Sequence, residues 1–257
     1  MRAIPDNNLS YPVFITLKSG SAGSGFFLHT KKFMYLVTAK HVLFDANGAL
    51  FSGNADLVSY STDPQAVLTN HMSLDLSVLL SNGQLIKHKN RDVAIIRLAE
   101  FWKDNRTRPL DGVAYVTMSR EGTVGVALNS LKKFDEVLVA NEIYLFGFPV
   151  SLGLQNHPQL DMGRPLLRKG IVAGLNSSQH SIVLDCPVYP GNSGGPVLEV
   201  ETDGQGGRHF RVIGIISEFV PYIANDLNHA ALNTGLNSGY SIATPIDFVL
   251  DILGGAD

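Results

Sequence analysis

Gly191-Asn192-Ser193-Gly194-Gly195-Pro196-Val197 is the stretch of sequence that decides the fold. It lies between two apolar segments, residues 181–184 and 196–198, and so places a serine on a tight glycine-rich turn between two predicted strands. Glycine adopts backbone conformations with positive φ and allows another molecule to approach the main chain closely. Such a turn can aim two main-chain N–H groups at one point, as a developing oxyanion requires.

A base and an orienting carboxylate for this serine are both present upstream. A serine hydroxyl is a weak nucleophile and needs both groups for its activation. The run Leu36-Val37-Thr38-Ala39-Lys40-His41-Val42 predicts an apolar strand that ends on a histidine, and Asp92 opens a predicted strand that continues to Leu98. The order His41, Asp92, Ser193 is that of chymotrypsin, and it differs from the order in subtilisin and in the α/β-hydrolases.

These three segments together resemble the trypsin-like serine peptidases of the chymotrypsin fold. The run 190–196, with Asn192 before the serine, is most similar to the bacterial Deg/Htr-type branch. The similarity extends over most of the chain, and the Gly/Ser-rich run 20–25 precedes the histidine segment as it does in the family. The resemblance implies an all-β fold of two perpendicular six-stranded antiparallel β-barrels with a C-terminal α-helix, and we expect no PDZ domain after that helix.

The same resemblance predicts how the chain is divided. Residues 1–115 would form the N-terminal barrel with His41 and Asp92, and residues 116–257 would form the C-terminal barrel with Ser193 and the final helix. Thr244-Pro245-Ile246-Asp247 has the pattern of an N-cap, a proline at the first helical position and an acidic residue in the first turn. We therefore expect the final helix to begin there.

The family resemblance implies a role for each candidate catalytic residue. Ser193 would attack the scissile carbonyl, His41 would accept its proton, Asp92 would orient the imidazole, and the N–H groups of Gly191 and Ser193 would form the oxyanion hole. Digestive relatives carry an aspartate in place of Asn192, where it pairs with a freed N-terminus. That pairing is impossible with an amide, so we expect this loop to be held or switched in another way.

The resemblance also predicts which residues bind substrate. Pro187 stands where trypsin-like enzymes place an acidic residue, and Phe219 stands where many relatives have glycine and an open pocket. We therefore predict a preference for a small or medium apolar side chain at the cleaved bond. The predicted substrate-binding residues are Pro187, Val188, Tyr189, Ser217, Glu218 and Phe219.

Composition narrows the class of protein. The chain has 257 residues, of which 45% are hydrophobic and 17% charged, and its net charge of −3 does not favour binding to nucleic acid or to an anionic membrane. A single cysteine, Cys186, excludes a disulfide framework within the chain. The N-terminus has no apolar signal segment, which predicts a cytoplasmic protein. The expected partner is a protein or peptide substrate, and a regulatory protein partner is compatible with the sequence.

Two other functions are compatible with the same residues. A catalytically latent or silent member of the fold would act as a protein-binding module, and an esterase would use the same triad on a different acyl group. A Gly-x-Ser-x-Gly elbow of the α/β-hydrolase type is disfavoured, because Gly194-Gly195-Pro196 is a poor start for a helix. We expect no cofactor and no metal, because the remaining histidines lack the spacing of metal ligands. These are His29, His71, His88, His157, His180, His209 and His229.

Overall fold

The structure is a computed structural model, and it describes residues 4–62, 69–102, 106–119, 122–150, 156–222 and 236–254. Within these residues the chain forms sixteen β-strands and three α-helices, the last of which is C-terminal. The strands belong to two sheets that follow one another along the chain. The predicted all-β fold with a C-terminal helix is therefore confirmed. Among the described residues, none of the helices is long and apolar enough to cross a membrane.

The first sheet carries the strand that leads to His41. Its strands are β1 (Pro12–Leu17), β2 (Ala22–His29), β3 (Phe33–Thr38), β4 (Asn54–Tyr60), β5 (Thr69–Asp75), β6 (Leu85–Lys87), β7 (Ala94–Phe101), β8 (Thr107–Pro109), β9 (Val113–Thr117) and β10 (Gly125–Ala127). The hydrogen-bonded order is β6-β7-β3-β2-β1-β4-β5-β9, with β8 paired to β7 and β10 parallel to β2. The sheet therefore has ten strands among the described residues, where six were predicted. Two short helices interrupt them, α1 (Lys40–Leu43) and α2 (Leu76–Ser81).

The second sheet closes into a barrel of six antiparallel strands, as predicted. Its strands are β11 (Glu142–Gly147), β12 (Leu166–Asn176), β13 (Ser181–Asp185), β14 (Pro196–Thr202), β15 (Arg208–Tyr222) and β16 (Leu236–Pro245), and helix α3 (Asp247–Gly254) follows. The order around the barrel is β11-β12-β13-β16-β15-β14. Ser193 lies in the connection between β13 and β14.

Two predicted element boundaries are wrong. The strand before His41 ends at Thr38, and His41 lies on the single helical turn α1. The expected N-cap at Thr244 belongs instead to strand β16, since Thr244 and Pro245 pair with Ile215 and Gly214 of β15. The apolar pattern before His41 continues past the point where the hydrogen bonds of β3 end. The capping pattern at Thr244 lies before the point where the hydrogen bonds of β16 end.

The hydrophobic core joins the two sheets. Residues of β11 alternate, because Ile143 and Leu145 pack inside the barrel while Tyr144 and Phe146 pack with the first sheet. Helix α3 adds Val249 and other apolar side chains to the first-sheet cluster. Burial on both faces of β11 removes a large apolar area from water, at about 25 cal/mol per Å². The second barrel is thereby packed against the sheet that carries His41.

Candidate active site

His41 and Asp92 are brought together by two hydrogen bonds. Helix α1 holds His41 just after β3, and Asp92 lies just before β7, the strand that pairs with β3. His41 Nδ1 lies 2.6 Å from Asp92 Oδ2, and the backbone N–H of His41 donates to Asp92 Oδ1 at 2.9 Å. One carboxylate therefore fixes both the ring and the backbone of the histidine.

This pairing determines which ring nitrogen of His41 can act as a base. An ionised carboxylate only accepts hydrogen bonds, so the proton of a neutral imidazole that faces Asp92 lies on Nδ1. The other nitrogen, Nε2, is then an acceptor. The His41 side chain is 48% exposed and that of Asp92 is 28% exposed, so the pair stands at the surface of an open cleft.

Ser193 lies on a tight turn whose geometry requires glycine. Gly191 has φ +95° and Gly194 has φ +84°, values that favour glycine. A Cβ on Gly194 would overlap the Ser24 carbonyl oxygen and the Thr38 hydroxyl. The loop therefore approaches the first sheet closely at Gly194.

Hydrogen bonds within the turn leave two N–H groups for a ligand. Asn192 N–H donates to the Tyr189 carbonyl oxygen at 2.9 Å, and Gly194 N–H donates to that of Ile216 at 2.7 Å. Among the described residues, the N–H groups of Gly191 and Ser193 donate to no protein acceptor. These are the two groups that the sequence predicts for the oxyanion hole.

A cleft of about 800 Å³ contains all three predicted catalytic residues. His41, Asp92 and Ser193 line it, with contributions from both sheets. Among the described residues, no hydrogen bond joins Ser193 Oγ to His41 Nε2. Catalytic hydrogen bonds are often long in ligand-free structures and tighten when substrate binds.

Most of the predicted substrate-binding residues line this cleft. They are Val188, Tyr189, Ser217, Glu218 and Phe219, whereas Pro187 is not among the lining residues. Val188 is buried, and Phe219 is 37% exposed. Ser217 Oγ lies 2.5 Å from Thr244 Oγ1. The sequence did not indicate Ile216, Ile242 and Thr244, which also line the cleft.

A second group of lining residues lies beside Asp92 and was also missed. Arg91 donates from Nη1 to the Gln179 carbonyl oxygen at 2.9 Å and stacks over the Phe248 ring at 4.8 Å. His180 packs between Phe134 and Phe248, with centroids 4.2 and 5.2 Å away. These contacts attach the segment before Asp92 to the second barrel and to α3.

Cys186 is buried in the hydrophobic core of the second barrel. It is 1% exposed, and burial raises the pKa of its thiol to about 11. The thiol is therefore protonated at neutral pH and behaves as a small apolar group. Among the described residues, no group of three or more His, Cys, Asp or Glu side chains could hold a metal ion.

Comparison with known proteins identifies the family. The profile of the family described as "Trypsin-like peptidase domain" matches residues 23–215, which is more than half of the chain. The chain belongs to the trypsin-like peptidase family. The matched profile covers the peptidase domain alone and includes no PDZ domain. A comparison with curated protein sequences gives no match.

Solved structures of serine proteases share the fold of this trypsin-like peptidase. The serine endoprotease from Yersinia pestis aligns with TM-score 0.53 and 14% identity over 99% of this chain and 67% of that one. The thermostable serine protease AL20 from an extremophilic microorganism aligns with TM-score 0.56 and 13% identity, over 97% of this chain and 98% of that one. The HtrA-type protease AlgW with tripeptide aligns with TM-score 0.51 and 16% identity, over 98% of this chain and 63% of that one. At these identities the likeness shows the fold alone.

Proposed function

We propose that the chain is a serine endopeptidase in which Ser193, His41 and Asp92 form a catalytic triad. The single observation that carries this proposal is the pairing of His41 Nδ1 with Asp92 Oδ2 at 2.6 Å, in a cleft that Ser193 also lines. The fold and family are those of a trypsin-like serine protease. A carboxylate that fixes Nδ1 leaves Nε2 to accept the serine proton, which is the role a general base requires.

The chemistry proceeds through an acyl-enzyme. Ser193 Oγ attacks the scissile carbonyl while its proton passes to His41 Nε2, and the resulting oxyanion accepts hydrogen bonds from the N–H groups of Gly191 and Ser193. The imidazolium gives its proton to the leaving amine. Water then attacks the ester by the same route and releases Ser193. No cofactor or metal is needed for these steps.

The proposed specificity is for a small or medium apolar side chain on the N-terminal side of the cleaved bond. The lining residues Val188, Ile216 and Ile242 are apolar. Phe219 also lines the cleft, and we expect it to narrow the pocket, because the family resemblance implies a glycine at its position. Glu218, the residue before Phe219 on β15, is acidic, and its side chain is exposed to solvent. An apolar side chain that fills such a pocket gains about 0.8 kcal/mol per buried CH₂.

A peptide-library experiment tests activity and specificity together. The wild-type protein is incubated with a library of quenched-fluorescent peptides, and the cleavage sites are read by mass spectrometry, with Ser193→Ala as the control. We expect cleavage after Ala, Val or Leu by the wild type alone, and Phe219→Gly to extend it to larger residues. Cleavage dominated by Lys, Arg or Glu would contradict the specificity. No cleavage by folded wild type would support the protein-binding module instead.

A further inference from the structure

The loop before Ser193 is held by its carbonyl groups. The Pro190 carbonyl oxygen accepts from Val150 N–H at 2.9 Å, and the Asn192 carbonyl oxygen accepts from Gly195 N–H at 2.9 Å. Between them, the Gly191 carbonyl oxygen accepts from the Ser24 hydroxyl at 2.6 Å. Three successive peptide groups are thus fixed by hydrogen bonds. The ion pair that digestive relatives form here, between an aspartate and a freed N-terminus, is not needed and is impossible with Asn192.

This arrangement orients the two N–H groups of the oxyanion hole. In a trans peptide the C=O and N–H bonds point in opposite directions, and the described chain has no cis peptide. The Gly191 N–H shares its peptide with the Pro190 carbonyl, and the Ser193 N–H shares its peptide with the Asn192 carbonyl. Each carbonyl is bonded to protein, so each N–H points away from that bond. The peptide held by Ser24 lies between these two.

Ser24 uses all of its polar groups to connect this loop with the first sheet. Its hydroxyl also accepts from Phe148 N–H at 3.0 Å, and its own N–H donates to the Ser193 carbonyl oxygen at 2.8 Å. Its carbonyl oxygen accepts from Thr38 Oγ1 at 2.7 Å, at the end of the strand that leads to His41. Ser24 is fully buried, so water cannot replace these bonds.

We propose that Ser24 is a positioning residue that holds the oxyanion loop in its donating conformation and in register with His41. This inference rests on the proposed peptidase function for its kinetic consequence. Without the hydroxyl, the Gly191–Asn192 peptide keeps one anchor, the bond from Asn192 N–H to the Tyr189 carbonyl oxygen. We expect this peptide to rotate more freely, which changes ψ of Gly191 and φ of Asn192. Both donor peptides adjoin this one, so both N–H groups lose their alignment with the reacting carbonyl.

The variants Ser24→Ala and Ser24→Cys test this role against a matched control. Ser24→Ala removes the hydroxyl, whereas Ser24→Cys keeps the shape and supplies a weaker donor. Ser59→Ala is the control, because Ser59 is 2% exposed on β4 of the same sheet and its hydroxyl has no hydrogen-bond partner among the described residues. All three variants delete or weaken one buried hydroxyl.

The kinetic measurement is the rate of labelling by a fluorophosphonate, together with kcat and KM for a cleaved peptide. For Ser24→Ala we expect kcat and the labelling rate to fall about 10- to 100-fold with KM changed less than about threefold, as for a small misplacement of reacting groups. Ser24→Cys should lie between Ser24→Ala and wild type, and Ser59→Ala should stay within about twofold of wild type. An unchanged labelling rate in folded Ser24→Ala would overturn the proposal. If Ser24→Ala does not fold, Ser24→Cys gives the same decision.

A second measurement separates this proposal from the proposed function. The ¹H–¹⁵N amide signals of Gly191, Asn192 and Ser193 report the loop conformation without any turnover. We expect them to shift or broaden in Ser24→Ala and to stay unchanged in Ser59→Ala. If wild type is not labelled at all, the peptidase proposal fails while these signals still test Ser24. Unchanged signals in Ser24→Ala would contradict its positioning role.

Discussion

The two walls of the cleft are built in different ways. On the first wall, the charged side chain of Asp92 holds His41 through a ring contact and a backbone contact, and both residues are partly exposed. On the second wall, the loop around Ser193 is held through backbone groups, and its anchor Ser24 is fully buried in the opposite sheet. The first wall therefore depends on side-chain chemistry and the second on backbone conformation. Substitutions should damage the two walls by different mechanisms.

The largest expected effect concerns whether the two walls act as one unit. Ser193→Ala or His41→Ala should each lower kcat about 10⁴- to 10⁶-fold, because each removes a member of the same proton-transfer step. The double variant should be no worse than either single variant, as measured by hydrolysis of a cleaved peptide. Losses that multiply would show that the two residues act independently and would contradict the triad.

Asp92→Asn tests the first wall, and it should lower kcat about 10⁴-fold while the protein stays folded. The amide can donate to Nδ1 and so favours the wrong tautomer of His41. Asp56→Asn is the matched control, because Asp56 Oδ1 lies 3.4 Å from His71 Nε2 in another partly exposed Asp–His pair. An equal loss of activity in both variants would mean that a general charge effect, not tautomer control, is measured.

Gly191→Ala tests the second wall, and it should lower kcat about 10²- to 10³-fold, as expected for loss of an oxyanion donor. Gly191 has φ +95°, and a Cβ there would overlap the Phe148 carbonyl oxygen and lie 2.8 Å from Val150 N. Gly206→Ala is the control, since Gly206 has φ +83° but open space around it. If Gly191→Ala keeps full activity, the loop conformation described here is not the one that catalyses the reaction.

The smallest expected effect concerns Cys186, whose thiol should not react with an alkylating reagent in the native protein. Burial raises the pKa of its thiol to about 11, so the thiolate fraction at pH 8 is about 10⁻³ in the folded protein. We expect no alkylation by iodoacetamide in the native state at pH 8 within an hour, and complete alkylation in denaturant, as read by intact mass. Rapid native alkylation would mean that the core of the second barrel, which lies behind the second wall, opens to solvent.

The first wall could be predicted from the sequence more completely than the second. The sequence predicts roles for His41 and Asp92 on the first wall, and for Ser193 on the second, because these residue types stand in the order of a known triad. The role of Ser24 was not predicted, because its hydroxyl acts on Gly191, which is distant in sequence and becomes a neighbour only in the fold. No sequence pattern distinguishes Ser24 from another buried serine such as Ser59.

Local patterns also misplaced two boundaries. The apolar run before His41 continues through Val42 and Leu43, so it predicted a longer strand, although α1 begins at Lys40. The capping pattern at Thr244 was overruled by the pairing of β16 with β15. At Thr244 the hydrogen bonds of the sheet outweighed a local capping preference that contributes about 1 kcal/mol.

The most direct test of the central claim is labelling of wild type by a fluorophosphonate, followed by intact mass and peptide mapping. The reagent needs an activated serine and a competent oxyanion hole, and it does not need the correct peptide. We predict one adduct per chain, located on Ser193, and no adduct in His41→Ala. An adduct elsewhere, or none on folded wild type, would contradict the convergence of the two walls on Ser193.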